Sequence, residues 1–280
     1  MRIFDRLGRG WTLGLKSLEV IGAHPKLLLF PVLSGAALLA VLLSFGGAFL
    51  GLAAFDFEAM EAIFNRMEQV GEVVFWIVAF VFYLVTYFVI VFFNVALVFN
   101  VRRIFAGEEP SIRDGISFSA SRAPQILAWA ALAATVGLIL QAIEERIGSF
   151  ASSILGFAWS LATYFVIPTL AAEDIGPVEA LKRSSRTIRE RWGESIGAGF
   201  SLGLFVLLGI VIAIITGFLL GFVIHPGVGV FAGILTFILT LVVTGAARNV
   251  FLTAAYEHTH GNTPEAFDGD TLDGIFMAKK

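Results

Sequence analysis

Long apolar stretches alternate with short polar ones along this chain. Six of them have the length of a membrane span: Leu27–Phe55, Val73–Asn100, Ile126–Ile143, Ile154–Ala172, Ile196–Ile224 and Val228–Tyr256. About 20 mostly apolar residues suffice, because the hydrocarbon core is ~30 Å thick and a helix rises ~1.5 Å per residue. The pattern predicts an all-α fold, a polytopic transmembrane bundle of six helices. Several stretches exceed what a bilayer needs and call for tilt or an extension past the interface. Only the last span carries a charge, Arg248, which with Asn249 is expected to snorkel to the interface. His225-Pro226-Gly227 breaks the last two spans with a tight turn, so these two form an antiparallel hairpin. Pro168 is expected to kink or end the fourth span. The spans and their connections occupy residues 1–256, and residues 257–280 form a tail.

The polar segments are sided. If the chain starts in the cytoplasm, all of its 19 Lys and Arg except Arg66 and Arg146 fall on the cytoplasmic side of the six spans. The other side carries Asp56, Glu58, Glu61, Glu68, Glu72, Glu144 and Glu145. Basic residues favour the cytoplasmic side of a membrane, so both termini are expected there, in a cytoplasmic membrane. The opening Met1–Lys26 does not read as a signal peptide, since Arg2, Asp5, Arg6, Arg9, Lys16 and Glu19 are scattered along it.

Three of the basic segments repeat one layout, an amphipathic stretch followed by a Pro or Gly and then a pair of spans. In the fourth loop Pro177 opens a helix in which Val178, Leu181, Ile188 and Trp192 recur at helical spacing. Lys182, Arg183, Arg186 and Arg189 lie largely off that stripe. The N-terminal segment sets Phe4, Leu7, Trp11, Leu15 and Leu18 against Arg2, Arg6, Arg9 and Lys16. Ser111–Ala123 is a weaker copy, with Ile112 and Ile116 against Arg113 and Arg122. An apolar stripe with Trp beside a basic face suits an anionic membrane surface. Lys182, Arg183, Arg186, Arg189, Trp192 and Trp11 are therefore the candidate lipid contacts. The layout gives a pseudo-threefold arrangement of surface helix plus hairpin.

Composition narrows the function. Hydrophobic residues make up 58% of the 280 and charged ones 15%, with a mean hydropathy of +0.87, too apolar for a water-soluble core. There is no Cys, hence no disulfide and no thiolate chemistry. No metalloprotease, hydrolase-elbow or phosphate-loop motif occurs, and spans one to five hold no ionisable pair for catalysis or proton coupling. The tail's His258, His260, Asp268, Asp270 and Asp273 lack the spacing of a metal site; Ala266, Phe267, Leu272, Ile275 and Phe276 instead suit docking on the bundle. Tyr83, Tyr87 and Asn94 recur near the helical period and offer a polar face, for helix pairing or for a permeation path. Gly47/Gly51, Gly199/Gly203, Gly217/Gly221 and Gly229/Gly233 sit four apart and permit close helix approach, above all between spans five and six.

YFVIPTLAAEDIGPVEALKRS (Tyr164–Ser184), the C-terminal stretch Ala254–Lys280 and HPKLLLFPVLSG (His24–Gly35) resemble a family of prokaryotic six-span membrane proteins catalogued only as a domain of unknown function. The likeness covers essentially the whole chain and is densest from Pro168 to Ser184. The layout is also similar, more loosely, to membrane-only domains attached to some glycerophosphodiester phosphodiesterases, but the catalytic barrel of those enzymes is missing. The resemblance implies a cytoplasmic-membrane location and supplies no catalytic residue. The expectation is a non-enzymatic membrane component with no cofactor and no nucleic-acid partner. It would contact lipids, anionic at the cytoplasmic face, or a second membrane protein or copy of itself. The alternative is a small transporter or channel for a neutral or hydrophobic solute.

Overall fold

The computed structural model describes residues 3–53, 72–191, 198–267, 269 and 272. Among them no strand occurs. In chain order the helices are α1 (Ile3–Ala23), α2 (Leu29–Ala53), α3 (Glu72–Phe105), α4 (Ile112–Ser121), α5 (Ala123–Ile147), α6 (Ser149–Ala162), α7 (Val166–Ala172), α8 (Pro177–Arg191), α9 (Ala198–Val223) and α10 (Pro226–Thr259). A 3-10 turn over Pro25–Leu28 leads into α2. Six stretches are long and apolar enough to cross a membrane: Pro25–Gly47, Trp76–Phe105, Ala123–Ile147, Ser149–Ala172, Gly203–Val223 and Pro226–Thr259. The protein is an integral membrane protein built as a helical bundle.

The fourth span is α6 and α7 in series, and Pro168 explains the break. Proline has no N–H, and its ring collides with the carbonyl four residues back, here Tyr164. The helix stops at Ala162 and restarts at Val166, which puts Pro168 in the first turn of α7, where no N–H is needed. The break therefore lies one turn before the proline. The amide it frees at Phe165 donates to Ser184 Oγ of α8 at 2.9 Å, in a buried site.

The three surface helices are α1, α4 and α8. Each lies under the hairpin that precedes it, and α1, which has none before it, lies under the last. Thus α4 packs on α3, α8 packs on α5, α6 and α7, and α1 packs on α9 and α10. Each presents a small residue and a fully buried serine to the bundle: Gly14 and Ser17, Gly115 and Ser119, Ala180 and Ser184. On α4, Ser119 Oγ donates to the Phe92 carbonyl at 2.9 Å. Close by, Asn100 Oδ1 accepts from the Ser111 amide at 2.6 Å. The sequence groups each surface helix with the hairpin that follows it, whereas α4 and α8 pack mainly on the elements that precede them.

The buried core sits at the basic end. It joins Leu13 and Ile21 of α1, Phe30, Leu97 and Val101, Phe165, and Val250 and Phe251 of α10, with Phe267 and Leu272 of the tail. A second cluster joins Val95 and Val98 to Ile126, Trp129 and Leu170. Towards the acidic end the spans turn large apolar side chains outward, such as Leu43, Phe150 and Phe222. The tail docking expected at Phe267 and Leu272 is present, whereas Ala266 is exposed. Trp192, Asp268, Asp270, Asp273, Ile275 and Phe276, and the side chains of Phe4 and Leu7, lie outside the described residues.

In spans five and six, a Cβ built on Gly229 would strike the carbonyl of Gly217 and the backbone of Gly221, and one on Gly217 would lie 3.2 Å from the Gly229 carbonyl. Gly47 and Gly203 face open space, so the first two glycine pairs make no such approach through these members; Gly51 and Gly199 lie outside the residues whose surroundings are described. Gly229→Ala is therefore expected to destabilise the protein by about 1–3 kcal/mol through overpacking, while Gly47→Ala leaves stability unchanged. Thermal unfolding in detergent checks this; equal melting of the two variants refutes the tight seam.

Candidate functional site at the basic end

The basic ends of α3 and α10 run side by side and terminate alike. Two cross-helix pairs share one sequence offset of 155 residues: Asn249 Nδ2 donates to Asn94 Oδ1 at 3.2 Å, and Arg102 Nε donates to Glu257 Oε1 at 2.6 Å. Each helix closes with a left-handed glycine, Gly107 at φ 78° and Gly261 at φ 84°. The amide that follows reaches back to the last turn, from Glu108 to the Arg103 carbonyl and from Asn262 to the Glu257 carbonyl. Pro110 and Pro264 come three residues after the glycines.

Around this pair of ends lies a charged junction. Arg102 also donates to the Ala171 carbonyl of α7 at 3.4 Å, and Asn262 Nδ2 donates to the second oxygen of Glu257 at 3.3 Å. Next to Glu257, Tyr256 donates its hydroxyl to Glu173 Oε1 at 2.9 Å. Glu173 pairs in turn with Arg183 of α8, which also bonds Glu179 at 3.3 Å. Two sets of contacts, meeting at the adjacent residues Tyr256 and Glu257, thus link α3, α7, α8 and α10. The Glu257 side chain is only 11% exposed against 36% for Arg102, so this ion pair is partly desolvated.

Other cations at this end are also neutralised within the chain. Arg103 bonds Glu108 and Asp114 at 2.9 and 2.7 Å, Arg122 pairs with Asp174, and Lys16 bonds Glu19 at 2.8 Å. The Arg103 guanidinium and the Ser111 hydroxyl hold the Asp114 carboxyl below its ordinary range. Lys182, Arg186 and Arg189 are different. They are exposed on the outer side of α8 and make no ion pair or hydrogen bond among the described residues. Of the four cations read from α8, Arg183 alone belongs to the junction.

The apolar stripe of α8 is turned inward. Leu181 and Ile188 pack against the two core clusters and Ala180 is fully buried, while Val178 is exposed. On α1 the buried stripe is Gly10, Leu13, Gly14, Ser17, Val20 and Ile21, a face distinct from the one read from sequence. The sequence-read stripe stays on the surface: Trp11 is 37% and Leu15 47% exposed, with Leu18 half-buried. Trp11 stacks on Phe205 of α9 with ring centroids 4.1 Å apart, which makes the stripe continuous with the outward face of that span. The polar face of α3 splits. Asn94 is engaged with Asn249, whereas Tyr83 and Tyr87 stack on each other at 6.4 Å, Tyr87 packing against the second cluster.

Arg102, Glu173, Tyr256 and Glu257 were not singled out by the sequence reading, because Arg102, Glu173 and Glu257 looked like ordinary loop or tail charges and Tyr256 like the end of the sixth span. The matched Gly-x-x-Pro endings after two Asn-bearing helices are the signal that pairs them. Chemically the junction is a set of satisfied charge-assisted hydrogen bonds, suited to fixing helices. Among the described residues no group of three or more His, Asp or Glu is placed to hold a metal ion.

Removing one partner of the central pair leaves a partly buried charge. Glu257→Ala is expected to lower stability by about 1–3 kcal/mol, between the values for exposed and fully buried pairs. The double exchange Arg102→Glu with Glu257→Arg should recover part of that loss. Thermal unfolding of the purified protein reads both; an additive loss in the double variant refutes direct coupling.

No curated protein and no solved structure matches the chain. The junction residues from Arg102 to Asn262 all fall within residues 73–262, the part of the chain that matches a family model, whereas α1 and α2 precede it. That match spans more than half of the chain, and the protein belongs to the family of unknown function DUF6159.

Proposed function

We propose that this protein is a non-catalytic component of a cytoplasmic membrane that gathers anionic lipid around its basic, cytoplasmic end. The observation that carries the reading is the division of the cations. Arg102, Arg103, Arg122 and Arg183 are paired with Glu or Asp, whereas Lys182, Arg186 and Arg189 face outward together from one helix, with Lys26 and Arg113 also exposed and unpaired among the described residues. A cation near an anionic surface is worth about 1 kcal/mol. Three on one docked helix concentrate anionic headgroups without any pocket. The exposed stripe of Trp11 and Leu15 lies on a helix held against α9 and α10, a position suited to the lipid–water boundary. The Asn94–Asn249 hydrogen bond and the packing of Tyr87 against the second buried cluster support helix packing as the use of the polar face, which favours this reading over transport.

The test is lipid retention. Full-length protein extracted into polymer-bounded discs from a membrane of mixed anionic and zwitterionic phospholipid should be enriched in the anionic species. Lys182→Gln, Arg186→Gln and Arg189→Gln together should abolish the enrichment, and rising salt should weaken it. Enrichment that survives the triple substitution refutes the role of α8.

Orientation is testable separately, because the chain has no native cysteine. Ser121→Cys at the basic end and Ser149→Cys at the acidic end are both exposed positions. In intact cells an impermeant thiol reagent should label the second and spare the first; the reverse pattern inverts the topology.

A further inference from the structure

Spans five and six approach so closely through Gly217, Gly221, Gly229 and Gly233 that no side chain fills the outer side of their seam. What remains there is an open apolar trough of about 720 Å³. Its floor is glycine backbone and its banks are Ile214, Phe218 and Phe222 on α9 and Val230, Ile234 and Phe237 on α10. Phe218 and Phe222 stand 74% and 86% exposed. The trough runs from Phe222 and Pro226, at the acidic end, inward to Ile210. At ~1.5 Å per residue that is ~18 Å, and one leaflet of a ~30 Å hydrocarbon core is ~15 Å deep.

We propose that this trough seats one acyl chain of a phospholipid in the leaflet at the acidic end. Its length spans one leaflet, its mouth opens where a glycerol backbone lies, and its walls offer a headgroup nothing to bind. Recognition is therefore of the hydrocarbon tail, unlike the charge-based contact at the other end. A helix from a second copy fits less well. Helices associate in membranes through small residues that let backbones touch, and the four glycines here already face one another across the seam. The crest that faces outward is phenylalanine, which holds a second backbone away and leaves a slot the width of a chain.

The experiment uses full-length protein in phosphatidylcholine vesicles with a trace of phosphatidylcholine bearing a diazirine at the end of one acyl chain. After illumination, the inserted label is mapped by mass spectrometry of peptides. Label should concentrate at the inner end of the trough, around Ile210 and Phe237, several-fold above the exposed face of α2 at Leu39 and Leu43. Val230→Trp and, independently, Ile214→Trp fill the trough and should reduce that labelling to the α2 level while leaving α2 itself unchanged. Equal labelling of the two faces in the unaltered protein overturns the proposal, as does a trough shielded from lipid in a cross-linkable dimer.

Discussion

Two helices are too long for the membrane they cross, and the architecture follows from what happens to the excess. α3 and α10 each contain 34 residues. At ~1.5 Å per residue they measure ~51 Å, against a hydrocarbon core of ~30 Å. Inside lipid, burying Leu or Val against another helix gains little, since acyl tails are equally apolar. Beyond the interface, water is the competitor, and each Å² of apolar surface covered is worth about 25 cal/mol. The large buried side chains accordingly gather where α3 and α10 emerge, and α1, α4, α7 and α8 assemble around them. The acidic half keeps its apolar surface for lipid.

The same geometry decides how polar atoms are placed. In the membrane-crossing part of α10, Thr236, Thr240 and Thr244 each donate to the carbonyl four residues earlier, at 2.6–2.9 Å, so no hydroxyl asks for a partner in lipid. Towards the basic end the donors begin to reach between helices, first Asn249 to Asn94, then Arg102 to Glu257 and Tyr256 to Glu173.

The spans, their number and the α9–α10 hairpin were legible because each rests on a local property: apolar length, the Pro226-Gly227 turn, or glycines four apart. The three surface helices were legible as layout, without the hairpin on which each packs. What stayed hidden required knowing which helices are neighbours. On α8 the periodicity of Leu181 and Ile188 is the same whether the partner is lipid or protein, and the structure supplies protein. On α1 there are two apolar stripes, and the sequence reading took the exposed one. Glu257 read as part of the tail because its partner lies 155 residues away. Pro168 was read correctly as a helix breaker, but its effect falls on the carbonyl behind it, which moves the break to Thr163–Phe165.

The packing of α1 under α9 and α10 has a consequence for how the protein is made. Its partners are two spans that leave the ribosome some two hundred residues after α1 itself. Contacts of such separation form late. Through most of synthesis α1 has both of its apolar stripes uncovered, and the membrane surface is the one nearby place that can hold such a helix. Docking then covers the stripe of Leu13, Ser17 and Val20 and leaves Trp11 and Leu15 exposed. The ring of three surface helices is closed by its first member, and only after the α9–α10 hairpin has been inserted.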